Sequence, residues 1–321
     1  MNKLDESDII RIFQKKLGNK KFVSEDVEIF REGKENIIVK VDTLVQSTDI
    51  PPKMKLQDAA RKSMVACISD FASKGVKPEF GIISVNLPKS ISGSKIAEIA
   101  KGFKKASDEF GVKILGGDTN QGEEIVFHAC IFGKSEKIIP RKGANLGDLV
   151  YVTGPFGLTS SGLKCLIEKK KGQKNFVKKS QNAVFRPKPR LEFGLKGKKY
   201  FSSAMDSSDG LSTTLIEMVR QSNKKFIIDN IPAPNQVYEF AKQNKIDPIN
   251  LIFHGGEEYE FVFTVPKKYK SVILKTAAKL KTPVIQIGQV TKGKGVYIKT
   301  GEKLSRLKDA GWHHFKKTSL T

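Results

Sequence analysis

The chain is poor in arginine, cysteine and tryptophan, and it has no long apolar run. No hydrophobic stretch reaches the roughly 18 residues a membrane-spanning helix needs. The start, Met1-Asn2-Lys3-Leu4-Asp5-Glu6, lacks the apolar core of a signal peptide. Cys67, Cys130 and Cys165 are scattered, without metal-site spacing and without an even number for disulfides. A reducing cytoplasm is therefore the expected location, with no membrane partner. Of the 57 basic residues only eight are arginine. The densest basic stretch, Lys169 to Arg190, carries only Phe176 and Phe185 as aromatics. A dedicated nucleic-acid surface uses more arginine, interleaved aromatics or a known module. The net charge of +23 thus reads as solvated lysine faces, and nucleic acid is not the expected partner. A nucleophile elbow, a Walker loop and a dinucleotide fingerprint are also missing. Phosphate chemistry, if present, must rest on metal and acid clusters.

What is present fits a globular chain of two domains: 321 residues, 39% hydrophobic and 28% charged. Strands are expected at Asn36–Val41, Phe80–Leu87, Val112–Leu115 and Ile125–Gly133, with helices at Glu6–Leu17, Lys55–Lys74 and Ser92–Phe110 between or before them. Ser92 is a capping residue and Gly111 a stop. The turn Asn145-Leu146-Gly147-Asp148 opens a second half and divides the chain into 1–145 and 146–321. That half holds expected strands at Leu149–Thr153, Phe201–Met205, Lys225–Asp229, Tyr259–Val265, Val284–Val290 and Gly295–Lys299. Helices are expected at Leu158–Lys170, Leu211–Ser222, Asn235–Gln243 and Lys268–Leu280. The Lys-rich segment before Arg186-Pro187-Lys188-Pro189-Arg190 reads as a loop that the prolines close. The alternation of strand and helix gives an α/β or α+β class.

Four acidic signatures stand out: Asp42-Thr43-Leu44-Val45, Ser69-Asp70-Phe71, Gly116-Gly117-Asp118-Thr119 and Asp206-Ser207-Ser208-Asp209-Gly210. They sit beside small residues at expected strand ends or helix starts, not on charged helix faces. If the fold gathers them, like charges about 4 Å apart repel by about 4 kcal/mol at an effective dielectric near 20. Bound Mg²⁺ relieves this, since it takes a few carboxylates plus substrate phosphates. Each signature has a plainer reading too. Gly116-Gly117-Asp118 suits a phosphate-cradling turn or an ordinary strand-to-turn glycine pair. Asp206 to Gly210 suits a metal site or a helix cap. His254-Gly255-Gly256-Glu257-Glu258 suits a functional loop or a solvated acidic turn. Trp312 suits ring stacking or core filling, and the pair His313-His314 has no third ligand at suitable spacing.

Taken in order, these motifs resemble the thiamine-monophosphate kinase family, within the aminoimidazole-ribonucleotide-synthetase-like (AIR-synthetase-like) superfamily. Ile68-Ser69-Asp70-Phe71-Ala72-Ser73-Lys74-Gly75, Arg186-Pro187-Lys188-Pro189-Arg190, Gly255-Gly256-Glu257-Glu258-Tyr259-Glu260 and Gly311-Trp312-His313-His314-Phe315 join the four signatures, so the likeness spans Ser24 to Phe315. The resemblance implies a two-domain AIR-synthetase-like fold and a homodimer whose N-terminal sheets join into a barrel. It implies transfer of phosphate from ATP to thiamine monophosphate with Mg²⁺. By the same resemblance Asp26, Asp42, Thr43, Asp70, Asp118, Asp206 and Asp209 are metal ligands, with Asp42, Asp118 and Asp209 at the transfer itself. Gly117, Asp118, Arg141 and Ser208 would line the ATP site; Asp49, Glu257 and Trp312 would face the acceptor. Two departures are visible. Ser24-Glu25-Asp26-Val27-Glu28 replaces the family's Gly-Asp-Asp-Ala-Ala, and Asp49 stands where a histidine is common.

Overall fold

The computed structural model describes residues 4, 6–18, 24–312 and 315. The first half runs α1 (Glu6–Lys16), β1 (Glu28–Glu32), β2 (Glu35–Val45), α2 (Gln46–Asp49), α3 (Leu56–Lys74), β3 (Pro78–Pro88), α4 (Gly93–Phe110), β4 (Lys113–Gly122) and β5 (Val126–Ser135). The second runs β6 (Leu149–Val152), α5 (Leu158–Ile167), α6 (Lys174–Phe185), α7 (Leu191–Gly197), β7 (Ser203–Ser207), α8 (Leu211–Ser222), β8 (Lys225–Ile228), α9 (Asn235–Gln243), α10 (Pro248–Phe253), β9 (Glu260–Val265), α11 (Lys270–Lys279), β10 (Ile285–Thr291), β11 (Gly295–Thr300) and β12 (Lys303–Arg306). Two sheets result, ordered β1-β2-β5-β3-β4 and β12-β11-β8-β10-β6-β9-β7. No described helix is long and apolar enough to cross a membrane.

Helix α3 organises the molecule. It packs against β2 and β5 of the first sheet and against β7 and β9 of the second. A helix between two sheets is covered on nearly every side, and from Asp58 to Lys74 every residue of α3 but Ala66 is buried. Its last turn closes in a Schellman motif. Gly75 takes φ 62°, its N–H donates to the Ala72 carbonyl, and the Val76 N–H donates to the Phe71 carbonyl. Helix α4 starts and stops where expected, with Ser92 accepting from the Lys95 N–H and Gly111 left-handed at φ 68°.

Three expectations need correction. The Lys-rich segment is mostly helix α6, which hides Phe176, Ser180 and Val184, spaced four apart, against α5. The prolines do stop regular structure over 186–190, as expected, but the Asp42–Val45 signature lies inside β2 rather than beyond a strand end. The glycine pair Gly116-Gly117 is not a turn but the middle of β4. There a side chain on Gly117 would strike the Ile83 carbonyl of the neighbouring strand at 1.6 Å.

Candidate active site

The junction that α3 makes between the sheets collects acids from three places. Asp26 precedes β1, Asp70 lies in the last third of α3, and Asp206 lies on β7; all three are buried. One oxygen from each lies within 4.8 Å of the others. Asp70 is thus inside a helix rather than at its start, while Asp206 lies at the end of a strand, as expected. Three hard carboxylate oxygens in one small volume are a donor set that suits Mg²⁺.

Three cations share this space. The Arg141 guanidinium donates from Nε to Asp26 at 2.7 Å, with Nη2 also on Asp26 and Nη1 on Ser24 Oγ at 3.0 Å. The fully buried Lys74 Nζ lies 2.8 Å from both Asp26 and Glu25 and donates to the Ala204 carbonyl at 3.0 Å. Lys40 on β2 places Nζ 2.9 Å from Asp70 and 3.6 Å from Asp42. These partners divide the acids. Burial opposes the charge on Asp26, but Lys74 and Arg141 overcome it and hold the carboxyl at about 2. Burial, then the charge of Asp26, lifts Asp206 to about 7. Burial also holds Asp70 well above the ordinary carboxylate value, with Lys40 pulling the other way. Asp206 therefore titrates near neutrality, and it accepts a hydrogen bond from Ser69 Oγ at 3.0 Å.

A second polar group lies at the mouth of the junction. The loop after α10 is pinned to the end of β7: the Glu257 N–H donates to the Ser208 carbonyl at 2.6 Å and the Tyr259 N–H to Ser207 at 3.2 Å. Gly256 permits this, since a Cβ there would sit 2.6 Å from the Ser208 carbonyl. Glu257, at φ 65°, pairs with the buried Lys62 of α3, whose Nζ also donates to the Asp49 carbonyl at 3.1 Å. The Asp49 carboxylate turns back to accept from the Val45 N–H at 2.7 Å. Asp49 and Glu257, chosen from sequence for one role, thus meet through Lys62. Trp312 is half-exposed rather than core-filling, and its backbone N–H donates to the Asp209 carbonyl at 2.8 Å.

Not every residue singled out joins the cluster. Asp42 reaches it only through Lys40. Thr43 points to the opposite face of β2 and bonds His128 Nδ1 at 2.9 Å. Register aligns Thr43 with His128, Ser84 and then Asp118 across four strands, so Asp118 lies on the edge strand β4, about 14 Å from Thr43 at the usual strand spacing. Gly117 accompanies it on that edge, while Ser208 and Asp209 flank Asp206 just beyond β7. His313 and His314 lie outside the described residues. The resident cations Lys40, Lys62 and Lys74 were not read as site residues. A signal existed for one of them: Lys40 shares the inward parity of Ile38, Asp42 and Leu44 on a half-buried strand.

The family model for the N-terminal domain of AIR synthase related proteins matches residues 24–135, and that for the C-terminal domain matches 145–301. The thiamine-monophosphate kinase of Nitrosopumilus maritimus is 62% identical over 98% of this chain and 100% of its own length. That of Pyrococcus horikoshii is 35% identical over 98% of each. Among solved structures, AaThiL complexed with AMPPCP and TMP superposes with a TM-score of 0.86 at 25% identity, covering 98% of both chains. A HypE–HypF complex shares the fold, with a TM-score of 0.77 at 20% identity. On the identity and coverage of these kinases, and on the two AIR synthase related domains, the chain belongs to the thiamine-monophosphate kinase family.

Proposed function

We propose that this chain transfers the terminal phosphoryl group of ATP to thiamine monophosphate, giving thiamine diphosphate. The observation that carries the reading is the buried Asp26–Asp70–Asp206 group, set at the junction between two family domains whose relatives are thiamine-monophosphate kinases. AaThiL, alike over its whole length, was solved with AMPPCP and TMP, an ATP analogue and a phosphorylated ligand suited to such a site.

The acceptor already carries a phosphate oxygen, so direct in-line attack needs neither a protein nucleophile nor a strong base. Mg²⁺ held by Asp26, Asp70 and Asp206 would screen the two sets of phosphate charges as they approach. The chain's own residues then position the partners. Arg141, Lys40 and Lys74 fix the carboxylates, leaving Asp206 to lose its proton when a divalent cation takes its place. Glu257, braced by Lys62, and the half-exposed Trp312 ring would hold the thiamine end, the indole by stacking. Asp49 in this pocket contributes its carbonyl to Lys62 and its carboxylate to the backbone.

Asp118, Thr43 and Gly117 enter this reading through a second copy of the chain. The face that Asp118 and Thr43 share also shows Val41, Ile82 and Cys130, and it leaves Val41 59% and Ile82 42% exposed. A second sheet closing over it buries those apolar groups and brings another chain's Asp118 toward this one's cluster. The units we assign are 1–145 for dimerisation and nucleotide binding, and 146–321 for the rest of the site. The three free thiols fit a reducing cytoplasm.

The test is direct. Protein incubated with ATP, Mg²⁺ and thiamine monophosphate should form thiamine diphosphate and ADP in equal amounts, resolved by chromatography. Turnover of another phosphorylated acceptor, but not this one, would remove the named substrate and leave the kinase.

A further inference from the structure

Charged side chains of both signs crowd the cluster. Five carboxylates meet there: Glu25, Asp26, Asp42, Asp70 and Asp206. Three fixed cations answer them, Lys40, Lys74 and Arg141. The arrangement says where a divalent ion belongs. Asp26, Asp70 and Asp206 converge on one another, whereas Asp42 is outside the convergence and faces Asp70 across the Lys40 ammonium. Lys40 is anchored from a strand interior, with most of its side chain covered. A divalent ion between Asp42 and Asp70 would have to expel it.

We propose that Lys40 is a built-in monovalent cation standing in the place of a second divalent ion between Asp42 and Asp70, so that the nucleotide-free chain takes one divalent cation and further ions arrive only on the nucleotide's phosphates. This rests on the metal reading of the Asp26–Asp70–Asp206 group. Hard-oxygen sites of this kind accept Mn²⁺ in place of Mg²⁺. The full-length protein, free of nucleotide, is therefore titrated with Mn²⁺ and the bound ion counted by electron paramagnetic resonance. The wild type should bind one Mn²⁺ per chain, Lys40→Met two, and Lys40→Arg one. Two or more ions on the wild type, or an unchanged count in Lys40→Met, would overturn the proposal. Should Lys40→Met fail to fold, Asp42→Asn decides: it keeps the single ion if Lys40 holds that position, and loss of the ion overturns the assignment. No binding at all to the wild type overturns the metal reading as well. The correct counts without formation of thiamine diphosphate would instead leave Lys40's role standing and remove only the substrate.

Discussion

Single residues in this site act mostly by holding one another. Lys62 is buried, and its ammonium serves two acceptors from different parts of the chain, Asp49 and Glu257. Hydrogen bonds to charged groups are the strong ones, and removing one partner leaves the other unsatisfied. Lys62→Met should therefore release Glu257 from its position at the acceptor end while leaving the nucleotide end alone. The expected kinetic signature is about a tenfold or larger rise in KM for thiamine monophosphate, from the loss of one charged hydrogen bond. KM for ATP should stay near its wild-type value; a parallel rise would mean that Lys62 supports the whole junction. Glu258, one residue further on, is buried for a different purpose. Its carboxyl accepts from the N–H groups of Gly157, at 2.7 Å, and Thr159 at the start of α5. Burial lifts its pKa to about 7 despite those bonds. A carboxyl raised on folding favours the folded state below its unfolded value of 4.5, and that contribution is lost as pH rises through about 7. Glu258→Gln keeps an acceptor oxygen and removes the titration. It should be more stable than wild type at pH 8, by up to about 3 kcal/mol from the size of the shift, and equal to it near pH 4. Denaturant midpoints across that range measure the difference.

At the scale of elements, α3 carries most of the risk, because both sheets and half the cluster depend on its end. Gly75 closes the helix in a left-handed conformation, and a Cβ there would lie 3.0 Å from Ile139 and Lys198. Gly75→Ala should cost about 1–2 kcal/mol for the backbone alone, and more for the contacts. Because the strain falls one residue after Lys74, divalent cation affinity should drop along with Tm; calorimetry reads both. The same scale shows what the sequence made legible. Strands β2, β3 and β5 and helices α3 and α4 carry plain alternation or clear caps, and they were readable to within a few residues except at the ends of β2. Helix α6 was not, since Phe176, Ser180 and Val184 are a narrow stripe among lysines. The short α10 was missed despite Asp247 capping the Ile249 N–H and Pro248 in its first turn. Strands β1 and β12 lie at sheet edges with every residue exposed, so no burial pattern marks them. For the site, Asp70 and Asp206 were visible because of their odd neighbours, whereas Asp26 came only from the family resemblance. Their partners Lys62 and Lys74 were not, because a lysine in a Lys-rich chain gives no local sign that it is buried.

For the whole molecule, the central fact is that Asp118 lies on the edge strand of the first sheet, on the face away from the cluster. The register Thr43, His128, Ser84, Asp118 spans β2 to β4, and no side chain bridges three strands. Asp118 on its own chain is held locally, accepting from Asn120 Nδ2 at 2.7 Å. If it serves the reaction, a second chain must supply it, and the exposed apolar face around Val41 and Ile82 is where that chain would dock. A charge there should break the assembly: Ile82→Glu is expected to give a monomer by light scattering, with activity lost at dilutions where the wild type keeps it. A mixing experiment then asks which chain provides Asp118. Asp118→Asn and Asp206→Asn are each expected to be nearly inactive as homodimers. If a site combines one chain's cluster with the other's Asp118, a mixed dimer holds one site with both residues intact and one with both lost. Refolding the two variants together at equal concentration should recover up to about a quarter of wild-type turnover, since half the dimers are mixed and each has one sound site. If both residues came from the same chain, every site would carry one lesion and mixing would recover nothing. The size of the recovered activity thus reads the geometry of the assembled site, independently of how strongly either substitution acts alone.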